Sequence, residues 1–409
     1  MTDRLYYTDP YLRAFDATIT RVDRRGDRLA ITLDRTAFYP TSGGQPFDTG
    51  RLGGLTVVDV VDADDGSITH VIEPRTPNPE PRTNPEPGTL NPEPGQSVRG
   101  EIDWARRFDH MQQHSGQHVL SAAFDKLFGV RTVSFHLGGA VSTIDLARET
   151  TPAEITAAEA DANRIVWENR PVAIRFVDAE EAARLPLRKE PARDGTLRLI
   201  DVDGFDLSAC GGTHVARTGG IGMIAVASWE RYKGGQRIAF LCGGRALDGY
   251  RTLRGAMTAS VRLLSVLPEE LPGAIERSLA DAKDQKRSMI ALQNDLARYR
   301  AEELAAGAEE AGACRLVARA VDADANGLKS LAAAIAAKPG LLVALVSTST
   351  PALVVIARSS DVSISAQELL TKLMAEFGGR GGGRPEMAQA GGLNASSDSI
   401  ISALHAAII

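Results

Sequence analysis

Three cysteines and no long apolar run set the first limits on this 409-residue chain. Cys210, Cys242 and Cys314 are odd in number and widely spaced, which excludes a disulfide framework of the secreted kind and leaves reduced thiols for packing or metal binding. The apolar residues make up 43% of the chain but are dispersed, so no run of about 18 is available to cross a bilayer. Met1 is followed by Thr2, Asp3 and Arg4 rather than by a basic end and a greasy stretch, and a soluble, cytoplasmic protein without a membrane partner is expected. The 46 Lys+Arg against 52 Asp+Glu give a net charge of -6, which excludes a charge-driven nucleic-acid coat. Any RNA contact has to be local.

Composition shifts along the chain predict an α+β multidomain fold. Ile19 to Val22, Leu29 to Leu33 and Leu55 to Val61 are β-branched runs of strand length between Gly and Asp turns, the pattern of a small N-terminal β-barrel over residues 1–96. Within it, Asn-Pro-Glu-Pro recurs at 78–81, 84–87 and 91–94, and so proline-rich an insert (about 74–95) cannot pack a core. From Ile102 the apolar spacing turns helical, with Leu120, Phe124 and Leu127 on one face, and strands and helices then alternate through an α+β domain at 97–255. Residues 152–168 predict a helix with Thr150 or Thr151 as N-cap before Pro152. Residues 256–310 read as a helical stalk, with Ile275, Leu279, Ala282, Met289, Leu292, Leu296 and Tyr299 at three- or four-residue steps. Lys286 and Gln293 break that pattern, leaving a dimeric coiled coil and an intramolecular linker as alternatives. The apolar runs Leu341 to Val346 and Ala352 to Ala357, between helix-like stretches, predict a C-terminal α/β domain at 311–409.

Histidine is scarce, yet three of the seven fall at 110, 114 and 118, one row of a helix. Residues 110 and 118 would lie about 12 Å apart along the axis, so one ion can take only an adjacent pair. The partners a tetrahedral site still needs are offered by Cys210-Gly211-Gly212-Thr213-His214, where small residues let a thiolate and an imidazole converge. Taken singly, the His pair reads equally as a polar helix face and Cys210 as a small buried side chain.

The stretch His114-Ser115-Gly116-Gln117-His118, followed about 90 residues later by Cys210-Gly211-Gly212-Thr213-His214, resembles the paired HxxxH and CxxxH motifs of the alanyl-tRNA synthetase editing domain. Phe38 to Gly50, with Ser42-Gly43-Gly44-Gln45, resembles the glycine-rich signature of the β domain that precedes editing in that family. Gly378 to Gly392 is similar to the glycine-rich end of its DHH-associated C-terminal domain. Thr is common in the family's synthetases where this chain has Gln117.

The resemblance implies His114, His118, Cys210 and His214 as ligands of one Zn(2+) per chain, with His110 unassigned. It also implies a freestanding hydrolase of the long AlaX type acting on tRNA(Ala) mischarged with Ser or Gly. The chain opens at the β domain, so alanine activation is not expected. Candidate substrate contacts are Ser42, Gly43, Gly44, Gln45, Gln117, Gly211 and Gly212, and no catalytic residue is singled out. Arg380 and Arg384, among seven glycines at 378–392, could bring guanidiniums and backbone amides to phosphates in a loop, and residues 256–409 are the candidate homodimer surface. The competing functions are a zinc-stabilised tRNA-binding module without activity and editing of Ser-tRNA(Thr). A DHH-type phosphodiesterase is disfavoured because Asp109-His110-Met111 lacks the second His.

Overall fold

A computed structural model of the protein describes residues 1–73, 92–188, 195–312 and 314–408. Most of the Asn-Pro-Glu-Pro insert therefore lies outside the described residues. The chain divides into two compact units, Met1–Ala259 and Ser260–Ile409.

The first unit begins with a closed antiparallel barrel in the order Ala14–Arg25, Arg28–Leu33, Ile68–Ile72, Leu55–Asp62, Gly50–Leu52 and Ser97–Ile102. Alternation drives it: in Ser97–Ile102 every second residue is buried, which places Val98 and Ile102 in a core with Phe15, Ile19, Ile31, Leu33 and Leu52. The closing strand Ser97–Ile102 follows residue 96, where the sequence reading ended this domain.

The next element, the helix Trp104–Phe128, carries the row of histidines. Asp103 caps it by accepting from the Arg106 amide, and Gly129 ends it in the left-handed region. Met111, Val119, Leu120 and Phe124 are buried in the core beneath it, whereas Leu127, expected on the same face, sits in the terminal turn and is 46% exposed. Arg107, in the first turn, is buried against the fully buried Asp48 of the barrel. Its guanidinium also donates to the Pro10 and Ala37 carbonyls, and Asp48 accepts from the Tyr39 amide. This fastens the start of the helix to the barrel. The helix packs with Pro152–Trp167, which has the Thr151 cap and Pro152 in its first turn, and with a four-stranded antiparallel sheet ordered Ile224–Tyr232, Gly235–Cys242, Ser142–Leu146, Thr132–Leu137. The unit also holds a three-stranded sheet of Val172–Val177, Leu197–Val202 and Asp206–Ala209.

The second unit holds the 36-residue helix Leu271–Ala306 and a six-stranded mixed sheet. Its strands are ordered Glu309–Ala311, Cys314–Val321, Leu341–Ser347, Ala352–Arg358, Met387–Leu393 and Arg380–Arg384. Cys314–Val321 and Leu341–Ser347 run parallel, joined through the helix Ala325–Ala336, and the helices Ala366–Phe377 and Ser397–Ile408 pack against the core on the sheet's other face. The glycine run, expected to be a loop, is an antiparallel β-hairpin in which Arg380–Arg384 forms the edge. Glycine allows it: a Cβ at Gly381 would meet the Gln389 carbonyl oxygen at 2.1 Å.

One barrel residue links this architecture to pH. His70 is buried between Thr36 Oγ1 at 2.8 Å and the Ile31 carbonyl at 3.0 Å, and burial pushes its pKa down to about 4. An unfolded histidine takes up its proton near pH 6.5, so this contribution is whole above that value and is lost as the pH falls towards 4, by about 3 kcal/mol in all. Denaturant midpoints across this window should fall in the native protein and stay flatter in His70→Gln. Parallel curves for the two would remove His70 as the cause.

Candidate metal centre

The histidine row becomes a site because its helix lies against the loop that follows Asp206–Ala209. One turn separates His114 and His118, whose rings are 5.4 Å apart, and the His214 ring lies 4.4 Å and 4.8 Å from them. Cys210 Sγ is 3.3 Å from Nε2 of both His114 and His214. The four donor atoms all fall within 4.8 Å of one another. Metal–nitrogen and metal–sulfur bonds of 2.0–2.3 Å put tetrahedral donors roughly 3.5 Å apart, so a cluster of this size could hold a metal.

Each imidazole is also held at its far nitrogen, as metal-ligating histidines are. His114 Nδ1 lies 2.8 Å from Gln45 Oε1, His118 Nδ1 lies 2.9 Å from Asp206 Oδ2, and His214 Nδ1 lies 3.2 Å from Ser115 Oγ. Asp206 is gripped in turn by Arg188 Nε at 2.6 Å and by the Ser208 hydroxyl. Burial opposes ionisation of Asp206, but His118 and Arg188 hold it well below the usual carboxylate range. Burial likewise works against the His118 cation, yet Asp206 raises its pKa to about 9, while burial takes His214 down to about 3. The Cys210 thiol would be pushed up by burial, but the His114 and His214 imidazoles bring it well below its ordinary value. A thiolate facing imidazole nitrogens is a donor set matched to a borderline-soft divalent ion.

Gly212 makes the close approach possible: a Cβ there would lie 2.2 Å from His114 Cε1 and 2.9 Å from Gln45 Oε1. Gly211 faces Tyr7, its Cβ position 3.6 Å from Tyr7 Oη. Ser42 to Gln45 form a tight turn with Gly43 and Gly44 both at positive φ, leaving Ser42 exposed and sending Gln45 inward. Gln45, a candidate substrate contact on sequence grounds, instead has its amide engaged by His114 and Thr213. Gln117 is buried, and its amide nitrogen donates to Ser121 Oγ at 2.9 Å. His110 is buried outside the cluster, with Nδ1 lacking a hydrogen-bond partner among the described residues. Arg380 and Arg384 belong to the second unit.

Sequence reasoning missed the outer partners Asp206, Ser115 and Arg188. Ser115 stands inside the motif itself. Asp206 and Ser208 alternate as the buried face of their short strand four residues ahead of Cys210, a signal too brief to read alone.

Comparison with known proteins places the chain among its relatives. Residues 197–239 match the threonyl and alanyl tRNA synthetase second additional domain, and residues 313–408 match the DHHA1 domain. The alanine–tRNA ligase of Pyrococcus abyssi is 33% identical over 403 residues, which are 95% of this chain but only 42% of that protein. The alanyl-tRNA editing protein AlaX-L of Pyrococcus horikoshii is 30% identical over 399 residues, covering 95% of this chain and 94% of that one. The C-Ala domain of Aquifex aeolicus alanyl-tRNA synthetase matches 25% of this chain and 96% of its own, at 21% identity and a TM-score of 0.24. Barrel, second additional domain and DHHA1 domain define a multidomain α+β protein related to the alanyl-tRNA synthetases. The chain belongs to the alanyl-tRNA editing protein family, of the long AlaX type.

The packing of Gly212 on His114 yields a test. Gly212→Ala should weaken metal binding by about tenfold or more through displacement of the His114 ring, whereas Gly139→Ala, with nothing within 4 Å of its Cβ position, should leave it unchanged. Chelator competition reads both, and equal affinities would show that this contact does not set the ring.

Proposed function

We propose that this chain is a zinc-dependent trans-editing hydrolase that removes serine, and also glycine, from mischarged tRNA(Ala). The observation that carries the proposal is the convergence of His114, His118, Cys210 and His214 with every far imidazole nitrogen engaged. These four residues would hold the ion, which three imidazoles and one thiolate suit as zinc. With all four engaged, bound zinc would supply structural organisation of the pocket.

The protein's own groups then carry the chemistry. An aminoacyl ester is already labile, so orienting a water and steadying the carbonyl oxygen suffice for hydrolysis. The exposed Ser42 and the Gly43–Gly44 and Gly211–Gly212 backbones are the polar groups we assign to the substrate end, beside Gln45 and Tyr7. A serine hydroxyl would find a partner there that alanine cannot use. The likeness to AlaX-L favours tRNA(Ala) over tRNA(Thr) as the carrier. Among the described residues no helix is long and apolar enough to cross a membrane, and we place the reaction in the cytoplasm.

In the second unit, Arg380 and Arg384 at the two ends of the exposed edge strand are proposed tRNA phosphate contacts. Ile275, Leu279, Met289, Leu292, Leu296 and Tyr299 of the helix Leu271–Ala306 are exposed, and this supports a homodimer through residues 256–409.

Purified protein should deacylate Ser-tRNA(Ala) about a hundredfold faster than Ala-tRNA(Ala), and Cys210→Ala should lose metal and activity together. Equal rates on the two substrates would defeat the selectivity, and absence of turnover on a panel of mischarged tRNAs would leave a binding module. Replacing Arg380 and Arg384 together by Ala should raise KM, leave kcat within about twofold and lower the salt dependence of binding by roughly one unit of slope for each arginine replaced. An unchanged KM would take these arginines off the RNA.

A further inference from the structure

Gln45 comes from the barrel, 69 residues before His114 and 168 before Thr213, yet it is fully buried between them. Its amide orientation is set by chemistry. The Thr213 backbone N–H can only donate, and it points at Oε1 from 3.1 Å, so the atom there must be oxygen. The amide nitrogen then faces Thr213 Oγ1 at 2.8 Å and donates to it. The same Oε1 lies 2.8 Å from His114 Nδ1, and an amide oxygen can only accept. Nδ1 must therefore carry the proton, which leaves the Nε2 lone pair directed at the cluster, 3.3 Å from Cys210 Sγ. Thr213 precedes His214 and follows Cys210 by three residues, so one side chain fixes one of the two helix ligands and the loop bearing Cys210 and His214.

Resting on the metal reading above, we infer that Gln45 is a positioning residue of the metal centre: the barrel's Gly43-Gly44 turn delivers an amide that sets the tautomer of His114 and holds the Cys210–His214 loop against it. Asp206 and Ser115 do this work for the other two imidazoles from elements beside the cluster itself. Among the described residues only the His114 imidazole is oriented from the barrel, so the glycine-rich turn acts on the metal site itself.

Two substitutions separate orientation from mere filling of space. Gln45→Met keeps the volume and removes the acceptor, leaving the His114 Nδ1–H and the Thr213 N–H unpaired. Gln45→Glu keeps an acceptor for both, and its second oxygen can accept from the Thr213 hydroxyl. The full chain is loaded with zinc or cobalt, affinity is measured by chelator competition, and the cobalt absorption bands report ligand geometry. Gln45→Met should bind 10–100-fold more weakly with altered bands, and Gln45→Glu should stay within about threefold of the native protein. In the zinc-loaded native protein, nitrogen-15 spectra should show His114 protonated at Nδ1, a readout that does not depend on either variant folding. Native affinity and native bands in Gln45→Met, or a His114 proton on Nε2, would overturn the inference while leaving the metal site standing. Failure of the native chain to bind either ion would instead overturn the metal reading, and this inference with it.

Discussion

An imidazole binds a metal well only when its ring is already turned the right way, and ring rotation is what this fold restrains. Three rings converge on one thiolate, and each is fixed by a different partner: a side-chain amide, a carboxylate and a hydroxyl. The partners arise from the barrel, from a short strand and from the histidine helix. Converging donors from segments about 90 residues apart lose considerable freedom, and much of the surrounding packing serves to offset that loss. Gly212 is the steric counterpart, since the loop can lie on the His114 ring only where no side chain intervenes.

The same logic places the buried Arg107–Asp48 pair. Burying two charges is costly, and a pair of this kind seldom adds net stability over an apolar substitute. Breaking it from one side is a different matter, because an isolated buried charge remains. The guanidinium satisfies that demand by reaching Asp48 and two barrel carbonyls at once. Such a contact fits few alternative arrangements, so it fixes how the helix leaves the barrel. Gln45 and Asp48 stand three residues apart in one loop, so the group that orients His114 and the group that anchors its helix come from the same short segment.

Much of this was legible in the sequence because strong local signals agreed with the final structure. Strand runs such as Leu29 to Leu33, the Thr151 cap ahead of Pro152 and the helical row of histidines each depend on neighbours within one or two turns. Convergence of HxxxH with CxxxH was readable because the donor types complement each other. What escaped was set by tertiary contact. Gln45 looks like a substrate-facing polar residue until its two engaged ends are seen, and Gln117 looks free until Ser121 is seen to take its amide. The glycine run resembled a loop because glycine is poor in strands. Here the facing strand approaches so closely at Gly381 and Gly383 that only glycine fits at those two positions.

That hairpin carries an implication for solubility. An outermost strand presents unpaired amides and carbonyls to any other extended chain, and long apolar edges recruit such chains into aggregates. Arg380–Arg384 offers the backbone but almost no side chain for a newcomer to bury, and it ends in a cation at both limits. The margin of the sheet is thereby kept open to solvent yet unrewarding to stray β-segments.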